Sequence, residues 1–167
     1  AFRDCDGREL WSFVPEQVLP YLKDSVDGTH QYFVDSAPVA YVHDTDNDGV
    51  IEYTDGDRVV LIFGLCRGGS ADDIASGTWG GYFGIDVSQP YLNEAPHDDG
   101  APDTMSFGPE LVFSIDSSTS GDYDYMGQSW GQPRLGKVRD NSGEPMIVAF
   151  VPGGYSKHED LRYGNTQ

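Results

Sequence analysis

An antiparallel all-β fold is predicted by three features of the sequence. Short runs of β-branched and aromatic residues recur at close intervals, at 32–34, 38–42, 58–65, 81–87, 111–115, 133–138 and 146–151. The segments between them, notably 68–78 and 93–109, are rich in Gly, Asp, Ser and Pro and read as loops. Composition agrees, because 21 Gly and 10 Pro with 13% aromatic residues suit many short strands joined by tight turns. A sandwich, a barrel or a propeller would each satisfy this pattern.

In chain order, the polar turn Asp4-Cys5-Asp6-Gly7 is followed by Glu9-Leu10-Trp11-Ser12-Phe13-Val14, which alternates as a strand does. Residues 15–23 can make one or two helical turns, since Pro is tolerated in a first turn, and they form the single helix the sequence predicts. The strands at 38–42 and 58–65 then flank an acidic segment. Neither flank has apolar residues at i, i+3, i+4 and i+7, so both read as strands and the pair as a hairpin. Segments 38–64 and 133–153 share one order: Pro, apolar strand, polar turn, apolar strand, Gly. Two successive propeller blades would show such a repeat.

The acidic segment, residues 44–55, has the spacing of a calcium loop. Ca²⁺ takes six to eight oxygen ligands, and carboxylates at alternate positions 1, 3 and 5 converge when the backbone curls around one point. Those positions are Asp44, Asp46 and Asp48. Gly49 stands at position 6, where the turn is sharpest, and the carbonyl of Val50 at position 7. The outer ligand is Glu52 at position 9 or Asp55 at position 12. Because the flanks are strands, Glu52 is favoured over Asp55. Asp and Asn also favour turns without any metal; the coincidence of three alternating Asp with Gly49 is what favours calcium.

A formal charge of −18, from 28 acidic and 10 basic residues, opposes binding to phosphate backbones and argues against nucleic acid as a partner. It suits an extracellular protein in a medium rich in divalent cations. No run approaches the ~20 apolar residues of a membrane span, and no secretory signal pattern opens the chain. Cys5 and Cys66 are too few and too far apart for a metal cage, leaving one disulfide or two free thiols. Trp11, Trp79 and Trp130 are expected in packing. His30, His43, His97 and His158 lack zinc spacing. Asp122, Asp124 and His97-Asp98-Asp99 are expected to be solvated loop residues rather than a second cation site. No GxSxG or phosphate-binding loop is present, so no catalytic residue is assigned.

Several ordered blocks carry a family resemblance. Asp6-Gly7-Arg8-Glu9-Leu10-Trp11-Ser12-Phe13-Val14-Pro15 resembles the G-K-E-L-W-A-F-I-P segment of the PilC/PilY family, the tip-associated adhesins of type IV pili. His30-Gln31-Tyr32-Phe33-Val34-Asp35-Ser36-Ala37-Pro38 is similar to its H-x-Y-F-V-D-x-x-P. Gly64-Leu65-Cys66-Arg67-Gly68-Gly69 and, after an insertion, Gly80-Gly81-Tyr82-Phe83-Gly84-Ile85-Asp86-Val87-Ser88-Gln89-Pro90 are similar to G-L-G-R-G-G-x-x-Y-F-A-L-D-V-T-D-P. Tyr125-Met126-Gly127-Gln128-Ser129-Trp130-Gly131-Gln132-Pro133 resembles L-G-Y-T-x-G-Q-P, and Gly153-Gly154-Tyr155-Ser156 resembles G-N-G-Y-x-S.

The resemblance implies a partial β-propeller over 1–167: a blade remnant at 1–30, a blade with the calcium loop at 31–118 and a partial blade at 119–167. About two blades would leave sheet edges unpaired. The expected partners are therefore pilus subunits or the remainder of a larger propeller polypeptide. The implied role is calcium-dependent adhesion or pilus extension and retraction, at the pilus tip or outer membrane. One rival is a quinoprotein-like propeller oxidoreductase, which needs a cofactor and a catalytic Asp at the propeller centre. Another is a structural component of an extracellular filament that binds cations between subunits.

Overall fold

The apolar runs pair into antiparallel ladders. In the computed structural model of the chain, the described residues are 1–2, 4–7, 9–28, 32–66, 80–89, 109–116, 123 and 126–155. The strands are β1 (Val39–His43), β2 (Arg58–Gly64), β3 (Gly81–Asp86), β4 (Glu110–Asp116), β5 (Arg134–Arg139) and β6 (Pro145–Phe150). The first four form one sheet in the order β1-β2-β3-β4, every neighbour antiparallel, and β5 and β6 form a second, two-stranded sheet. The fold is all-β and antiparallel with one short helix, and neither sheet closes on itself among the described residues. Segments 38–64 and 133–153, alike in sequence, are both antiparallel hairpins.

Strand β3 positions the rest. It pairs with β2 on one edge and β4 on the other, and Gly81 through Ile85 are buried. Because strand side chains alternate between faces, Phe63 and Leu65 join Phe83 and Ile85 on one side, with Leu61 and Val87 packed against them. The register sets Phe63 opposite Phe83, and their rings stack with centroids 5.7 Å apart. Phe13 meets the Phe63 ring edge-on at 6.0 Å, and Trp11 covers the same cluster. Gly84 lies opposite Phe113, whose ring passes within 2.3 Å of where a Cβ would stand, so any side chain there would force the ring to move. The ladder slips just beyond it, between Gly84 and Ile85.

On the other face, Tyr82 is fully buried and donates its hydroxyl to the Gly131 carbonyl at 2.8 Å. Burial, then the neighbouring Cys66, pushes the Tyr82 phenol up to about 12. Ser129, also buried, accepts the N–H groups of Leu65 and Gly81 on its Oγ at 2.9 and 3.3 Å. An isolated bridge between Cys66 and Ser129 completes the join between the four-stranded sheet and the segment leading to β5.

The helical prediction at 15–23 is met by a 3₁₀ turn, Glu16–Tyr21, running into α1, Leu22–Val26. Val18 is its buried anchor, and the Gln17 side-chain amide donates to the buried carboxylate of Asp116 at the end of β4. No described helix is long and apolar enough to cross a membrane. Two predicted strands are not strands. Residues 9–14 form no strand: the Phe2–Glu9 bridge, the Leu10 N–H donating to the Ala1 carbonyl at 2.9 Å and the Ala1 ammonium donating to the Trp11 carbonyl at 2.6 Å tie them to the first two residues, while Trp11 and Phe13 pack on the core cluster. Residues 32–34 likewise form no strand. Trp11 packs as expected, whereas Trp130 is 49% exposed, with its indole N–H donated to Gln128 Oε1 at 2.8 Å. Both cysteines are free thiols; Cys5 is exposed, and burial pushes the Cys66 thiol up. The loops at 68–78 and 93–108, with Trp79, His30, His97, Asp98, Asp99, Asp122, Asp124 and His158, lie outside the described residues.

Phe83 is 2% exposed at the centre of the cluster. Phe83→Ala is expected to lower unfolding stability by ~3–5 kcal/mol, read as a lower urea midpoint at unchanged slope; a loss under ~1 kcal/mol would show that this cluster is not the core.

Candidate metal centre

The β1–β2 ladder ends at the pair His43 and Arg58, so residues 44–57 leave the sheet as one loop. Its first half is shaped by carboxylates folded back onto the backbone. Asp44 accepts the N–H of Asn47 at 2.6 Å on one oxygen and that of Gly49 at 2.9 Å on the other. Asp46 accepts the Asp48 N–H at 3.3 Å, and Asp48 accepts the Val50 N–H at 2.7 Å. Such turns suit Asp and Asn, whose short side chains bond to backbone two or more residues on. Asn47 and Gly49 take left-handed conformations, with φ of 60° and 85°, where Asn is tolerated and Gly is unhindered.

This curl brings together one carboxylate oxygen from each of Asp44, Asp46 and Asp48, all within 4.8 Å of one another. Asp44 is half-buried and the other two are exposed. Like charges this close repel, and each carboxylate would be stabilised by a shared cation. Among the described residues no other three His, Cys, Asp or Glu side chains converge in this way. An all-oxygen set suits Ca²⁺ or Mg²⁺ and lacks the nitrogen or sulfur that zinc prefers.

The remaining predicted ligands sit around this group rather than in it. Val50 follows with an exposed side chain. Glu52 precedes a 3₁₀ turn, Tyr53–Asp55, and its carbonyl accepts the Asp55 N–H at 3.0 Å. Asp55 accepts the Thr54 hydroxyl at 3.1 Å. Neither the Glu52 nor the Asp55 carboxylate belongs to the set of mutually close oxygens.

Asp57, which lies outside the calcium-loop spacing, organises the second half. It is 1% exposed, and its carboxylate accepts the Thr45 N–H at 2.8 Å on one oxygen and the Glu52 N–H at 2.9 Å on the other. One side chain therefore ties the entry of the loop to its exit. The Glu52 bond first, and the Thr45 bond after it, hold the Asp57 carboxyl below the ordinary value of 3.8. The available signal was a Gly-Asp pair directly before a strand, with Gly56 at φ 92° closing the 3₁₀ turn.

Arg58 joins the loop to the sheet. Its guanidinium donates to the Asp57 carbonyl at 2.8 Å, lies 4.7 Å above the Tyr53 ring and stands 3.9 Å from the Asp86 carboxylate on β3. Gln89 donates to the Tyr53 hydroxyl at 3.1 Å, and the ring of His43 stacks on that of Tyr41 at 6.3 Å.

The β5–β6 turn repeats the device in miniature. A single oxygen of Asp140 accepts the N–H groups of Ser142 and Glu144 at 2.8 and 2.9 Å and the Ser142 hydroxyl at 2.6 Å. The Ser142 hydroxyl, followed by the Glu144 N–H, lowers the Asp140 pKa below 3.8. Comparison with protein-family models, curated proteins and solved structures returned no match.

Two predictions concern these carboxylates. Asp57→Asn leaves one acceptor oxygen where two are used; amide exchange at Thr45 and Glu52 is expected to accelerate while the β2–β3 ladder keeps its protection, and unchanged exchange at both would remove Asp57 from this role. Asp57 and Asp140 have folded pKa values below the ordinary 3.8. Their stabilisation is therefore whole above the unfolded value and is lost as pH falls through the lower folded values. Thermal melting should show this loss only below about pH 4, and Asp140→Asn should make the fall shallower.

Proposed function

We propose that the chain is a calcium-binding, propeller-type segment of a type IV pilus-associated adhesin or assembly protein of the PilC/PilY kind. It acts at the cell surface in adhesion or in pilus extension and retraction. The observation that carries the calcium part is the convergence of the Asp44, Asp46 and Asp48 oxygens within 4.8 Å in a loop capping an antiparallel hairpin. In this reading those three side chains hold the ion. The Val50 carbonyl and Glu52 or Asp55 supply the outer ligands, and Asp57 keeps the two halves of the loop in register. Bound Ca²⁺ supplies charge neutralisation, which lets the three carboxylates remain close.

The propeller part is supported by strand order. A four-stranded antiparallel meander, β1 to β4, has the connectivity of a propeller blade, and the β5–β6 hairpin follows it with the same Pro-strand-turn-strand-Gly order. The pilus part is supported by the ordered sequence blocks, which run from Asp6 to Ser156. Pilus subunits, or the remainder of a larger propeller polypeptide, are the partners this reading assigns. It assigns no catalytic role.

Ca²⁺ at a hundredfold excess over its Kd is expected to stabilise the fold by ~2.7 kcal/mol relative to chelator, a rise of about 5–10 °C in melting temperature for a chain of this size. Asp46→Ala, which removes the ligand oxygen, should abolish most of that rise, and a melting temperature indifferent to chelator would overturn the calcium reading. The pilus reading is tested separately by cosedimentation with purified type IV pili. Calcium-dependent pelleting is expected, and its absence with a calcium-responsive protein would remove the pilus assignment while leaving the metal site.

A further inference from the structure

We draw no further inference here: the strongest candidate, the exposed apolar surface of the β5–β6 hairpin around Met146, Ile147 and Phe150, carries nothing because nothing in the structure shows what covers it.

Discussion

The stacking of Phe63 on Phe83 across the β2–β3 ladder is the contact on which the described structure depends. It sets the register of the two innermost strands, and a slip of one residue would turn every core side chain of β3 to the opposite face. With that register in place, Leu61 falls opposite Ile85, and Trp11 and Phe13 find an apolar surface to cover. The reverse face gains as much from it. Tyr82 reaches the Gly131 carbonyl, and Ser129 meets the backbone N–H groups of Leu65 and Gly81, because β3 sits where the aromatic pair holds it. Apolar burial and polar satisfaction thus belong to one strand, and backbone groups that would be costly to bury alone are each given a partner.

The acidic loop depends on this sheet in turn. Arg58 ends the β1–β2 ladder, and its guanidinium touches Asp57, Tyr53 and the Asp86 carboxylate of β3, so the frame of the loop is continuous with the core. Within that frame, carboxylates accepting N–H groups set the curl of the backbone. A shape made in this way from the chain's own donors resists the mutual repulsion of Asp44, Asp46 and Asp48. Asp57 faces inward to the backbone, whereas Asp46 and Asp48 face water, and the difference separates a structural carboxylate from one free to meet a cation.

Much of the fold was legible because strand signals are local. Each of the six strands lies within a residue or two of a β-branched or aromatic run, and the hairpin around the acidic loop follows from its strand flanks. Residues 9–14 misled because alternation reports that one face is buried and says nothing about whether a neighbouring strand supplies hydrogen bonds. Trp130 misled for the converse reason: an aromatic side chain signals packing only when other elements surround it. At the site, Asp44, Asp46 and Asp48 were legible from spacing alone, since the turns that gather them are made within a few residues. Asp57 was not, because its partners are the N–H groups of Thr45 and Glu52, and which backbone donors face a given carboxylate is decided by the whole loop.

The two hairpins differ most in what joins their strands: residues 140–144 in one and 44–57 in the other. Both connections are organised by an aspartate bonded to backbone N–H groups, and the longer is about three times the length of the shorter. Closing a flexible chain of that greater length costs only ~1 kcal/mol more in entropy. A hairpin end of this kind is therefore a place where a chain can acquire about nine residues, and whatever chemistry they bring, with little penalty to the sheet beneath. Novelty at such a position is constrained less by stability than by whether the added residues include a group, as Asp57 is here, that makes the lengthened connection hold one shape.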